Sequence, residues 1–237
     1  MAPWSTHTDE KGNVLAVFDD GDLGVYRHKN STADDISKRH NSASYTSAGG
    51  EKMGETWTEL GFADFGYYEA TGKIRPQAGA KIDFGSNWAT EQVGSILDSD
   101  PSAGEYAKKA QGGGIWDVKA HSPGGIGYGS MLFGKYASAR DAGNFAAGAV
   151  AANSYFPELA IDYGFGLYNM SGNNVNRAIG LAGRDVMNTP WGTIGSVLMR
   201  AKTGENPLSQ AGIDAGKAYM KSLLNSKGGI SSYFKMF

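Results

Sequence analysis

Trp116-Asp-Val-Lys-Ala-His121, then a glycine-rich connection, then Gly134-Lys-Tyr-Ala-Ser-Ala-Arg-Asp-Ala-Gly-Asn-Phe145 is the stretch whose reading sets the fold class. Its first piece alternates. Asp117, Lys119 and His121 take one face and Trp116, Val118 and Ala120 the other, the two-residue period of a half-buried strand. The second piece predicts a helix from about Tyr136 to Val150. At roughly 100° per residue, Tyr136, Arg140 and Asn144 share one narrow stripe, with Asp141 beside it. The opposite side carries Ala139, Ala142, Phe145, Ala146, Ala149 and Val150, which suits a close helix contact. A strand presenting Asp, Lys and His beside a helix presenting Tyr, Arg and Asn is the densest polar constellation in the chain. The plain alternative is a surface ion pair between Arg140 and Asp141, worth a fraction of a kcal/mol, with Asn144 bonded to a loop and Lys119 solvated.

Working outward toward the N-terminus, Ser86-Asn-Trp opens a predicted helix over about Ala89 to Leu97, and Ser102 caps another through about Ala110. Lys81-Ile-Asp-Phe-Gly85 reads as a strand, and Gly54 to Tyr68 as an aromatic-rich stretch with β character. Residues 29 to 53 are polar and lack apolar periodicity, the pattern of a mobile loop. Two β-prone runs, Asn13 to Phe18 and Leu23 to His28, flank Asp19-Asp-Gly-Asp22 and predict a β-hairpin. The aspartates lack the remaining calcium-loop ligands, so turn chemistry accounts for them. Toward the C-terminus, helices are predicted over 157 to 170, 175 to 186 and 191 to 202, and a better one over Pro207 to Asn225, ended by Lys227-Gly-Gly. The class is α+β, a β-rich N-terminal half packed with a helical C-terminal half, as one domain over residues 1 to 237.

Composition narrows the function. With 237 residues, a sizeable core is available. A net charge of −2 and a pI near 6.1 give no broad electrostatic footprint for nucleic acid, although a local basic patch can hide in a neutral total. The absence of cysteine excludes disulfides, thiolate nucleophiles and cysteine-ligated metals, and lets the fold survive either redox compartment. The longest apolar run, near Phe145 to Ala152, is too short to span a bilayer, and the first residues carry no signal-peptide pattern. The 35 glycines are dispersed without period, which points to tight turns and close backbone contacts.

The chemistry-bearing residues form few recognised patterns. The four histidines, His7, His28, His40 and His121, are scattered, and no spacing supports a zinc site. Neither a nucleophile elbow nor a Walker loop is present. Glu55 and Glu59 lie among Trp57, Phe62 and Phe65, where burial beside aromatics would raise a carboxyl pKa and make a general acid. Two such carboxylates beside a sugar are glycosidase chemistry, and the 12 tyrosines and 5 tryptophans offer stacking platforms.

Five blocks occur in a set order: Asp20-Gly-Asp-Leu-Gly-Val-Tyr26, Gly49-Gly-Glu-Lys-Met-Gly-Glu-Thr56, Lys81-Ile-Asp-Phe-Gly-Ser-Asn-Trp88, Asp117-Val-Lys119, and Gly134-Lys-Tyr-Ala-Ser-Ala-Arg-Asp-Ala-Gly-Asn144. Together they resemble the bacterial polymorphic toxin type 44 domain, found at the C-terminus of large secreted Rhs-type proteins. The resemblance covers about residues 13 to 150, which it makes the catalytic part, and leaves 151 to 237 as a helical extension. It implies an effector released from a carrier shell by a secretion apparatus, delivered into a rival bacterium and neutralised at home by a cognate immunity protein. The family is described as a predicted ribonuclease, so the matching positions Glu55, Asp117, Lys119, Arg140 and Asn144 become the candidate catalytic residues.

Under that reading Lys119 and Arg140 hold the scissile phosphate, Glu55 or Asp117 deprotonates the 2′-hydroxyl, and His121, outside the matched blocks, is a candidate acid. Tyr136, His121 and Trp57 are candidate substrate contacts. No metal and no cofactor is called for. The alternative is a peptidoglycan hydrolase acting in the target periplasm, with Glu55 protonating the glycosidic oxygen and Asp117 assisting. A non-enzymatic pore is disfavoured, because no long apolar segment exists.

Overall fold

A computed structural model describes residues 2–43, 46–154, 164, 177–178 and 207–226. Seven strands and six helices are defined among them. The strands are β1 (Trp4–Thr8), β2 (Val14–Asp19), β3 (Gly24–Arg27), β4 (Glu51–Glu55), β5 (Lys81–Ile82), β6 (Tyr128–Leu132) and β7 (Lys135–Ser138). The helices are α1 (Ala33–Ala43), α2 (Phe65–Thr71), α3 (Trp88–Asp98), α4 (Ala103–Lys109), α5 (Ala139–Ala152) and α6 (Pro207–Ser226). The class is α+β, with most strands in the N-terminal half. Contacts divide the chain into two compact units, one of residues 1–98 and 118–143, the other of 99–117 and 144–237.

The first unit carries both sheets. One has the order β2-β1-β3-β4, the other β5-β6-β7. The expected hairpin of β2 with β3 is absent, because β1 lies between them, antiparallel to β2 and parallel to β3. The reason is local. Asp9 accepts the backbone N–H of Lys11 and Asn13, each at 2.9 Å, and Gly12 takes φ +82°, which tightens a turn joining β1 to β2. The Asp20–Asp22 turn then carries the chain across β1.

The sheets meet at both ends. Asn13 bridges Lys81, and Thr56 bridges Tyr136 in parallel. Strand order therefore runs from β2 round to β5 and back to β2. A cluster of Val25, Phe62, Ala80, Ile82 and Tyr136 forms a core here, with Val14, Met53, Phe84 and Met131 packed on it.

Four expectations fail here for identifiable reasons. Residues 29 to 53 are not a loop, since they hold α1 and β4. Ile36, with zero exposure, is the one fully buried side chain of α1 among the described residues, so apolar periodicity had nothing to report. Trp116 to His121 is a chain of turns rather than a strand. Asp117 Oδ2 accepts the Gly113 N–H at 2.8 Å and Asp117 N–H bonds Gly114, folding the segment back on its glycines. The central helix begins at Ala139, not Tyr136, because Lys135 to Ser138 pair with β6. Of the aromatic stretch 54 to 68, only Gly54 and Glu55 belong to a strand, and Phe65 opens α2 behind its N-cap Asp64.

Helices predicted from caps and periodicity stand. Ser86 Oγ accepts the Trp88 N–H at the start of α3, and Ser102 Oγ accepts that of Glu105 at the start of α4. Pro207 opens α6. The helices predicted over 157–170, 175–186 and 191–202 lie outside the described residues but for Gly164, Arg177 and Ala178, as does the Lys227-Gly-Gly stop.

The apolar stripe of α5 is buried throughout, from Ala139 to Val150 at 3 % exposure or less. In the second unit α5 crosses α6 at Gly148 and Gly216. A Cβ on Gly148 would stand 1.9 Å from the Ile213 carbonyl oxygen, and one on Gly216 2.0 Å from that of Phe145. Both obstacles are backbone, so the helices must separate to admit a methyl group. Gly148→Ala is expected to cost about 1–3 kcal/mol, the range for overpacked cores, read as a lowered denaturant midpoint. An unchanged midpoint would disprove the close crossing.

Candidate functional site

The strongest surface candidate gathers around Glu55. The register of β4 against β3 shifts between Val25 and Tyr26, leaving Met53 as an extra residue. In a regular strand residues three apart face opposite ways; a bulge re-aims one of them. Lys52 and Glu55 consequently point to one side, Nζ to Oε1 3.0 Å. The Thr56–Tyr136 bridge brings Lys135 alongside, its Nζ 3.3 Å from Glu55 Oε2. That ammonium also lies 5.6 Å from the centre of the Trp57 ring, and Trp57 is fixed by its Nε1–H bonded to the Leu132 carbonyl.

This environment reverses the expected pKa shift. Glu55 is half-buried at the surface, and hydrogen bonds from Lys52 and then Lys135 hold its carboxyl below the usual glutamate range. Lys52 is correspondingly raised, chiefly by its bond to Glu55. Glu55 is thus an ionised base at neutral pH, not a neutral acid. Arg27 stands on the neighbouring strand, paired with Glu51 at 2.7 Å and 5.7 Å from the centre of the Phe84 ring.

The other candidates are placed differently. Tyr136 belongs to the core cluster, 3 % exposed, edge-on to Phe84, and burial raises its hydroxyl pKa. It underlies the site rather than facing a substrate, and a Cβ on Gly54 would stand 3.0 Å from its ring. Arg140 is a clasp. Its Nε donates to Asp141 Oδ1 at 2.9 Å and its Nη2 to the carbonyls of Leu60 and Gly61, while Asp141 Oδ2 accepts the Thr58 hydroxyl at 2.7 Å. With Asp141 at 2 % exposure this is a buried pair, not a surface one. Lys119 and His121 are exposed, in the first unit. Asp117 and Asn144 belong to the second, where Asp117 ties its turn. The Asn144 amide nitrogen is buried without a hydrogen-bond partner among the described residues. Of the named site residues, the structure brings together Glu55, Trp57 and, beneath them, Tyr136.

No protein-family model, curated protein or solved structure matches the chain. Its own geometry therefore has to carry the functional reading.

That geometry includes a second cluster that sequence spacing hid. Three of the four scattered histidines converge. His28 Nε2 lies 2.9 Å from His7 Nδ1, His7 Nε2 lies 3.0 Å from Ser5 Oγ, and Ser5 Oγ donates to Asp20 Oδ2 at 2.7 Å. His40 Nε2, from α1, reaches the same Asp20 oxygen at 3.0 Å. No group of three or more His, Asp or Glu among the described residues is arranged to hold a metal ion. The signal available in sequence was β1 itself: Ser5 and His7 alternate with Trp4, Thr6 and Thr8 in a β-prone run.

Proposed function

We propose that the chain is the toxin domain of a secreted antibacterial effector, a metal-independent ribonuclease that cleaves RNA at the Glu55 site in the cytoplasm of the target cell. The observation that supports it is a carboxylate kept ionised between two ammonium groups at the surface, beside an anchored tryptophan. Glu55 removes the proton of a ribose 2′-hydroxyl. The 2′-oxygen forms its bond to the adjacent phosphorus as the bond to the 5′-oxygen breaks, leaving a 2′,3′-cyclic phosphate and a 5′-hydroxyl protonated from solvent. Lys52 and Lys135 face the charge that develops on the phosphoryl oxygens. Trp57 offers a ring for a base to stack on. A local cationic group of this kind meets the objection that a net charge of −2 raises. The carrier shell, the secretion apparatus and an immunity protein are the partners this reading calls for.

The wall-hydrolase alternative needs the opposite electrostatics. A glycosidic acid must hold its proton near neutral pH, and Glu55 is held deprotonated. The deciding experiment expresses the chain in a bacterium with and without a periplasmic export signal, and incubates the purified protein with single-stranded RNA in chelator. Growth arrest without export, and fragments ending in cyclic phosphate, are expected. Killing only on export, with intact RNA, would replace the ribonuclease by a wall enzyme.

A further inference from the structure

The buried histidine chain has no part in the Glu55 chemistry, and its hydrogen-bond polarity can be counted. Ser5 has one proton and gives it to Asp20. Its oxygen must therefore accept from His7 Nε2–H, which leaves His7 Nδ1 as a lone pair that accepts from His28 Nε2–H. His7 is neutral in this arrangement. A proton added to His7 Nδ1 would set two N–H groups against each other. One added to His28 would place a charge at a residue 2 % exposed, facing Arg39.

What covers these rings is weakly anchored. His7 is flanked by Tyr26 and His28 of β3, by His40 and Arg39 of α1, and by Asp20 and Asp22 of the turn between β2 and β3. Tyr26 in turn donates to Asp22 and faces Lys52. A Cβ on Gly50 would stand 2.7 Å from the His28 ring, so the turn after α1 lies directly against it. α1 and the turn after it hold on through Ile36 and Ala48 packed with Ala16 of β2, through His40 stacked on Phe18 with ring centres 3.9 Å apart, and through His40 Nε2 at 3.0 Å from Asp20 Oδ2, while Arg39 ties the helix to its own flanks at the Ala48 carbonyl and the Ser31 hydroxyl.

We propose that the His28–His7–Ser5–Asp20–His40 chain is an acid-release latch: proton uptake by the two inner histidines frees α1 and the turn after it from the sheet, while the rest of the first unit stays folded. This stands apart from the ribonuclease reading. Burial, then His28 and His40, holds His7 down to about 3, and burial with Arg39 holds His28 down to about 4, against an ordinary 6.5. The closed form therefore refuses protons that the open form accepts below about pH 6.5. Closure is intact above that value and weakens as pH falls. Two such groups favour opening by about 10³-fold between pH 7 and pH 5. A helix with one buried apolar side chain is the segment that opens first.

The test is amide hydrogen exchange on the full chain at pH 7 and pH 5, corrected for intrinsic rates. Protection of α1 is expected to drop about 10³-fold, with β6, β7 and α3 unchanged. His28→Gln keeps a donor for His7 but cannot titrate, and its drop should shrink to about 30-fold, whereas His40→Gln should keep the full drop. Equal protection at both pH values, an undiminished drop in His28→Gln, or equal loss across all strands would overturn the latch. Should His28→Gln fail to fold, NMR titration of the wild-type rings decides. Inner imidazoles that titrate near 6.5 while α1 stays protected would also overturn it.

Discussion

Glu55→Gln is expected to lower RNA cleavage by about 10²–10⁴-fold, the span general-base catalysis contributes, without moving the unfolding midpoint. Glutamine keeps the shape and an acceptor oxygen for Lys52 or Lys135, but it cannot take up the 2′-hydroxyl proton. Glu55 keeps 42 % of its side chain in solvent and its ion pairs are solvent-screened, so little stability is at stake. Removing its negative charge also frees two ammonium groups for phosphate. RNA should therefore bind the variant at least as tightly while turnover collapses, a split between kcat and KM that a folding defect would not produce. In the wild type, the acid limb of kcat/KM should lie below the usual glutamate range, because Lys52 and Lys135 depress that carboxyl. Steady-state kinetics and filter binding on one preparation measure both effects. A Glu55→Gln protein with undiminished cleavage would end the assignment.

Asp141→Ala is expected to destabilise the protein by about 3–5 kcal/mol, the cost of leaving a buried charge without its partner. The substitution strands the Arg140 guanidinium, whose side chain is 15 % exposed, and leaves the Thr58 hydroxyl without its acceptor. Arg140 also holds the carbonyls of Leu60 and Gly61, so the start of α5 and the loop after β4 loosen together. Replacing both Arg140 and Asp141 by leucine should cost less than the two single losses added, because neither charge is then left alone. Urea unfolding of the two single variants and the double variant reads this coupling. Full additivity would show that the pair is not a unit. Loss of toxicity in these variants should track loss of folded protein, unlike Glu55→Gln.

What the sequence makes legible is what depends on neighbours along the chain. The apolar period of α5 and the serine cap of α4 are such features, since each is complete within a few helical turns. β1 is not, because its neighbours are β2 on one side and β3 on the other, and a strand inserted between two consecutive runs leaves no mark in either. The six-residue alternation at Trp116–His121 was too short to decide against glycine turns that Asp117 closes. Arg140 shows a further limit. Position on a polar stripe identifies which residue will need a partner, but whether that partner is a phosphate or Asp141 depends on the loop packed opposite. Glu55 was a candidate from its block, but its surroundings were not legible there, since Lys135 arrives from 80 residues away.

The closed order of strands has a consequence for whatever must recognise this protein. The outermost strands β2, β4, β5 and β7 each already give part of their margin, at or beside Asn13, Thr56, Lys81 and Tyr136, to another strand of the same ring. Among the described residues, a strand laid on either sheet therefore meets a margin shortened by these bridges. Side chains are left as the larger part of any recognition surface there. At Lys52, Lys135 and Arg27 that favours a carboxylate-bearing surface, whose selectivity would fade as salt is added.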